Sequence, residues 1–95
     1  MIEREITIKN KTGLHARPAA MFVEAADRFE SEIELIFDGI TVNAKSIIGV
    51  LSLGIGNGDK AILRISGSDE EEAMEKLVQL IENRFGEEGP GDDFI

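Results

Sequence analysis

The apolar residues of this chain change period along the sequence, from two to about 3.6 and back, and the order of those changes limits the fold more than any other feature. Ile2, Ile6 and Ile8 fall on one side of an alternating run, with Glu3, Glu5, Thr7 and Lys9 on the other. That is the pattern of a strand with one wet face. Asn10-Lys11-Thr12-Gly13 then breaks it. From Ala16 to about Phe29, the positions Ala19, Phe22, Val23, Ala26 and Phe29 recur at three and four residues, which predicts a helix. Pro18 falls in its first turn, where a missing N–H does no harm. Ile33, Leu35 and Phe37 alternate with Glu32, Glu34 and Ile36, and after Asp38-Gly39 Ile40 and Val42 alternate with Thr41 and Asn43. A two-residue hairpin follows, with Phe37 opposite Ile40 and Leu35 opposite Val42 on one face.

Ser46 precedes an apolar stretch that ends at Gly54, which reads as a short helix with a serine cap and a terminating glycine. Residues 60 to 66 form another strand. Ser68 and Glu71 are spaced as a capping box, and Met74, Leu77, Val78, Ile81 and Phe85 form the inner stripe of a last helix stopped by Gly86. The order is βαββαβα, which predicts an α+β open-faced sandwich: a four-stranded antiparallel sheet with three helices on one face. Residues 1–86 read as the domain, and 87–95 as an acidic, frayed tail.

The chain has 95 residues and no cysteine, so neither disulfides nor thiolate metal sites contribute, and one hydrophobic core must suffice. Its 42% of hydrophobic residues make that feasible. Ten basic against 19 acidic residues give a net charge of −9, which argues against nucleic acid and anionic lipid surfaces as partners. Met-Ile-Glu-Arg-Glu has neither the basic region nor the apolar run of a signal peptide, and no stretch is long enough for membrane insertion, so the expected location is cytoplasmic.

Chemistry has few carriers here, because there is one histidine and no Trp or Tyr. His15 lies where a glycine-containing turn meets the start of a helix. A helix N-terminus presents N–H groups without partners and a partial positive charge, worth about 0.3–1 kcal/mol to an anion at an exposed site. Arg17 adds a fork of donors suited to phosphate oxygens. Imidazole is largely neutral near pH 7 and nucleophilic, and a ring nitrogen accepting from the free N–H groups would stay unprotonated. His15 could therefore accept a phosphoryl group and hold it without a metal. Position alone is weak support, since a histidine ahead of a helix is ordinarily a surface or capping residue.

Gly13-Leu14-His15-Ala16-Arg17-Pro18-Ala19 resembles the active-site signature of HPr, the histidine-containing phosphocarrier of the bacterial phosphoenolpyruvate-dependent sugar phosphotransferase system. Asn43-Ala44-Lys45-Ser46-Ile47-Ile48-Gly49-Val50-Leu51 resembles its second signature, and the resemblance covers about residues 2 to 86. It implies that His15 is phosphorylated on Nδ1 by phospho-Enzyme I and passes the group to sugar-specific IIA components, with Arg17 steadying the oxygens. It implies a monomeric carrier rather than an enzyme, with no cofactor and no metal. In members from many Gram-positive bacteria the serine matching Ser46 is phosphorylated by HPr kinase/phosphorylase and signals to a carbon-repression regulator. Ala16, Ala20, Ile47, Ile48 and Leu51 match the family's partner-binding surface, and a short helix in so small a domain should leave at least Ile47 or Ile48 exposed.

The chain departs from the family at Glu24 and Asp27, where many members place basic residues, and this weakens electrostatic attraction to acidic partners. Two other readings stay open: a nitrogen-type regulatory phosphotransfer carrier, and a phosphoserine-dependent binding regulator. His15 argues against the second, whose members lack the active-site histidine. A hydrolase is poorly supported by one histidine without a placed base, nucleophile or metal set.

Overall fold

The computed structural model describes residues 1–87. Four strands, β1 (Ile2–Thr7), β2 (Glu32–Phe37), β3 (Ile40–Asn43) and β4 (Lys60–Ser66), and three helices, α1 (Ala16–Ala26), α2 (Ile47–Ser52) and α3 (Glu70–Glu82), follow the βαββαβα order expected from periodicity. The strands form one antiparallel sheet in the order β1-β4-β2-β3. Ile6, Ile33, Leu35, Ala61, Leu63 and Ile65 point inward from it and join Ala19, Phe22, Val50, Leu77 and Ile81 of the helices in a single core. The helices thus cover one face, and the other carries the charged alternates, where Arg64 bridges Glu3 (2.7 Å) and Glu34 (3.0 Å) across three strands. This is the expected open-faced sandwich. Among the described residues no helix is long and apolar enough to cross a membrane.

The hairpin has the expected register, Phe37 opposite Ile40 and Leu35 opposite Val42. Asp38 (φ 54°) and Gly39 (φ 79°) are both left-handed, the backbone that a type I′ turn demands and that twists as the strands do. Ser46 caps α2 as expected, its hydroxyl accepting from the Gly49 N–H at 3.1 Å.

Three boundaries differ from expectation. α1 ends at Ala26 and closes through tighter turns, Arg28 N–H to Ala25 O and Phe29 N–H to Ala26 O, although Phe29 still packs on the core. No Ser68–Glu71 capping box forms. The N-cap of α3 is Asp69, which makes no side-chain capping bond; its carboxylate instead accepts from the N–H groups of Glu30 (2.9 Å) and Ser31 (3.0 Å) and from the Ser31 hydroxyl, pinning the α1–β2 connection. Glu70, not Glu71, reaches back to the Gly67 N–H at 3.0 Å. Finally, α3 stops at Glu82, short of Gly86. Arg84 (φ 56°), Phe85 (φ 53°) and Gly86 (φ 79°) form a left-handed 3₁₀ turn that keeps Phe85 buried by reversing the chain. Non-glycine residues in that region each cost roughly 1–2 kcal/mol, so packing and hydrogen bonds must hold the turn.

Candidate functional site

The site begins with a loop that has almost no freedom. Asn10 is fully buried, and its Nδ2 donates to the Gly13 carbonyl at 2.8 Å while the Gly13 N–H returns a bond to the Asn10 carbonyl. Gly13 (φ 70°) lies so close to residues 55–56 that an added Cβ would come within 2.7 Å of backbone atoms. Only glycine fits there. Leu14 is buried and donates to the Ile55 carbonyl at 2.9 Å, and Asn57 Nδ2 donates to the carbonyls of Lys9 and Asn10. The loop after α2 therefore supports the loop before α1 from beneath.

That support places His15 at the N-cap of α1, in extended backbone, with the side chain exposed. The helix cannot slide, because Pro18, Ala19, Phe22 and Ala26 anchor its inner face. Of the first-turn N–H groups that no helix satisfies internally, Pro18 removes one, leaving those of His15, Ala16 and Arg17. The His15 ring makes no capping bond to them, contrary to the expectation that a ring nitrogen might accept from the helix terminus. The first turn holds no acidic residue, and Ala16, Arg17 and Ala20 are all exposed. The result is an exposed imidazole at a helix terminus that holds no acid, with the exposed Arg17 two residues further on. His15, Arg17 and Ser46 line none of the clefts found between α1 and α3, between β1 and α3, or beside β2 and β3.

α2 packs against α1 and β3, and only Val50 of its six residues is buried. Ile48 is 78% exposed, Ile47 38% and Leu51 39%, so both candidate residues reach solvent together with Leu51. The C-terminal end of α2 leads into the loop that holds the residue before His15, since Ile55, three residues beyond Ser52, accepts from the Leu14 N–H. Ser46 sits at the opposite end, about 9 Å further along a helix of this length. Glu24 and Asp27 are exposed on the later turns of α1, away from its N-terminus.

Sequence reasoning missed Asn10, Asn57 and Glu87. An asparagine three residues ahead of a glycine was a usable signal for the first, as Asn side chains close such turns locally. Glu87, expected as the first residue of a frayed tail, is instead half-buried against the loop. Its carboxylate accepts from the Thr12 hydroxyl, the Thr12 N–H (3.3 Å) and Asn10 Nδ2 (3.2 Å). The Thr12 hydroxyl above all, with Asn10 and backbone N–H groups, holds the Glu87 carboxyl below its ordinary pKa. The rest of the expected tail lies outside the described residues.

The fold and the site together describe a small open-faced α+β domain with an exposed histidine heading its first helix. Residues 2–83 match the family described as the PTS HPr component phosphorylation site. The chain is 55% identical over 82 residues, 86% of its own length and 98% of the relative's, to the HPr-like protein Crh of Halalkalibacterium halodurans. It is 44% identical over 88 residues, 93% of its length and all of the relative's, to the phosphocarrier protein HPr of Treponema pallidum. Among solved structures, HPr-C-His from Thermoanaerobacter tengcongensis superposes with a TM-score of 0.91 at 57% identity, over 93% of this chain and 99% of that one. The chain belongs to the HPr phosphocarrier family.

Proposed function

We propose that this protein carries a phosphoryl group on His15, taken from phospho-Enzyme I and delivered to sugar-specific IIA components. The observation that carries this reading is the exposed histidine at an acid-free helix N-terminus beside Arg17, within the family's signature. The imidazole nitrogen attacks the phosphorus of the donor phosphohistidine in line, and the donor nitrogen leaves with its electron pair. Transfer to IIA repeats the step with this chain as donor. Such transfers depend on positioning and charge neutralisation more than on covalent help from the protein. The α1 N–H groups and the Arg17 fork suit the phosphoryl oxygens, and the partners supply the rest. The chain is in this reading a carrier without turnover of its own, cytoplasmic and monomeric, with residues 1–86 as the carrier domain. An HPr dimer from Thermoanaerobacter tengcongensis has been solved, so sedimentation at working concentration tests the last point.

Ile47, Ile48 and Leu51, with Ala16 and Ala20, form the docking surface, and phosphorylation of Ser46 by HPr kinase/phosphorylase regulates it. One observation favours a second reading: the 55% identity to Crh suits a regulator that binds through phosphoserine to a carbon-repression protein. His15 favours the carrier. Incubation with Enzyme I and labelled phosphoenolpyruvate, followed by a chase onto a IIA component, separates them. Acid-labile label that moves to IIA supports the carrier; no label from phosphoenolpyruvate, with acid-stable label taken from ATP in a parallel incubation with the serine kinase, supports the regulator. Transfer to a nitrogen-type IIA in preference to a sugar-type one assigns the chain to the nitrogen branch.

A further inference from the structure

The carboxylate of Glu87 joins two places far apart in sequence, the end of the domain and the loop that presents His15. Its arrival there is specified by the fold. Phe85 is buried under α3 and the chain turns back through consecutive left-handed residues, which directs residue 87 onto Thr12. The contact uses both carboxylate oxygens: Oε1 takes the Thr12 N–H, and Oε2 takes the Thr12 hydroxyl and the Asn10 amide. Asn10 in turn holds Gly13, whose successor Leu14 precedes His15. Beneath, residues 55–57 fix the same loop through hydrogen bonds to Lys9, Asn10 and Leu14 and close packing on Gly13, while the strap holds Thr12.

We propose that Glu87 is a positioning residue for His15, a terminal strap whose carboxylate fixes the loop of residues 10–13 from above so that the imidazole is presented in one orientation. The strap acts through Thr12 and Asn10 and does not touch the phosphoryl group. Its effect on transfer rests on the phosphocarrier reading above. Replacement by glutamine keeps the size of the side chain but turns one acceptor into a donor, so that it faces the donors of residues 10–12 with a single oxygen.

The experiment is a double-mutant cycle on the full chain with E87Q, T12V and both together, measuring transfer from phospho-Enzyme I over a range of its concentration. E87Q lowers the saturating rate about threefold to tenfold, because a displaced nucleophile loses orientation, and leaves the half-saturating concentration near the parent's, because the docking patch is untouched. T12V does the same, the double variant is no slower than either single one, and T12S keeps the parent rate. The His15 imidazole resonances shift in E87Q, and the Thr12 and Gly13 amides exchange faster with solvent. Parent-like rates with unmoved imidazole resonances overturn the proposal, even where the melting temperature falls. Should the parent itself take no phosphate, the carrier reading fails. The strap is then decided by the resonances and amide exchange alone, and unchanged values in E87Q overturn it.

Discussion

The first turn of α3 carries Glu70, Glu71 and Glu72 behind Asp69, whereas the first turn of α1 carries an arginine and no acid; neither helix has a side-chain capping bond. Both helices have similar dipoles, so the difference lies in what neutralises them. At α3 the protein's own carboxylates do so, and the cap is used inward, holding Glu30 and Ser31 at the start of β2. At α1 no carboxylate of the first turn does so, which in the proposed reading leaves the terminus for an external anion. In a chain with 19 acidic residues, an acid-free turn beside the one histidine is a local exception to the composition. In the proposed phosphocarrier reading, one helix terminus serves stability and the other transfer.

The comparison breaks most readily if α1 is made to resemble α3. Ala16→Asp puts a carboxylate where the phosphoryl group would sit, and repulsion of about 1.4 kcal/mol or more corresponds to at least a tenfold slower phosphorylation of His15. The melting temperature should hold or rise slightly, since an acid suits a helix N-terminus. An unchanged rate in single-turnover measurements would mean that the open terminus of α1 is incidental.

Ser46→Asp tests the docking patch instead. It keeps an acceptor at the α2 cap, so the melting temperature should stay near the parent's. A charge next to Ile47 must be desolvated against an acidic partner, and an association rate with Enzyme I lowered severalfold is expected. Earlier melting would point to a broken cap, and parent-like association would place Ser46 outside the contact. Arg17→Lys keeps the charge of the α1 terminus but loses the bidentate fork, so transfer to IIA should slow a few-fold. A parent-like rate reduces Arg17 to a solvated charge.

The α3 side gives the smallest effects and should leave phosphotransfer alone. Ser31→Ala removes the hydroxyl that Asp69 accepts, at a cost of about 1 kcal/mol in urea unfolding. The bond from Ser31, then that from the Glu30 N–H, holds the Asp69 carboxyl below its ordinary pKa. Because the folded value is depressed, the stabilisation is complete above the unfolded carboxylate pKa and fades as pH falls through the folded one. Asp69→Asn should flatten that acid limb of the stability profile. A limb as steep as the parent's would assign it to other carboxylates, Glu70 and Glu87 among them, whose pKa values are also lowered.

Most of the fold was legible because apolar period and turn chemistry agreed. Asp38-Gly39 set the hairpin register, and Ser46 and Pro18 marked helix starts. The helix ends were less legible, because long-range bonds decided them. Ser68 satisfied the local capping rule, yet Asp69 stands at the N-cap with its carboxylate turned to partners nearly forty residues away. A pattern reaching Phe85 could not show that Phe85 enters the core through a left-handed turn. In the candidate site, the local features at His15, Arg17 and Ser46 could be read from their motifs, while Asn57 and Glu87 act on the loop from segments that sequence spacing does not connect to it.

Phosphorus and imidazole-nitrogen NMR after incubation with Enzyme I and phosphoenolpyruvate decides whether His15 holds a phosphoryl group. The account predicts one phosphorus resonance coupled to Nδ1 of His15, lost in acid and absent from a folded His15→Ala variant. No phosphorus on the parent chain, or the same signal on His15→Ala, would contradict it.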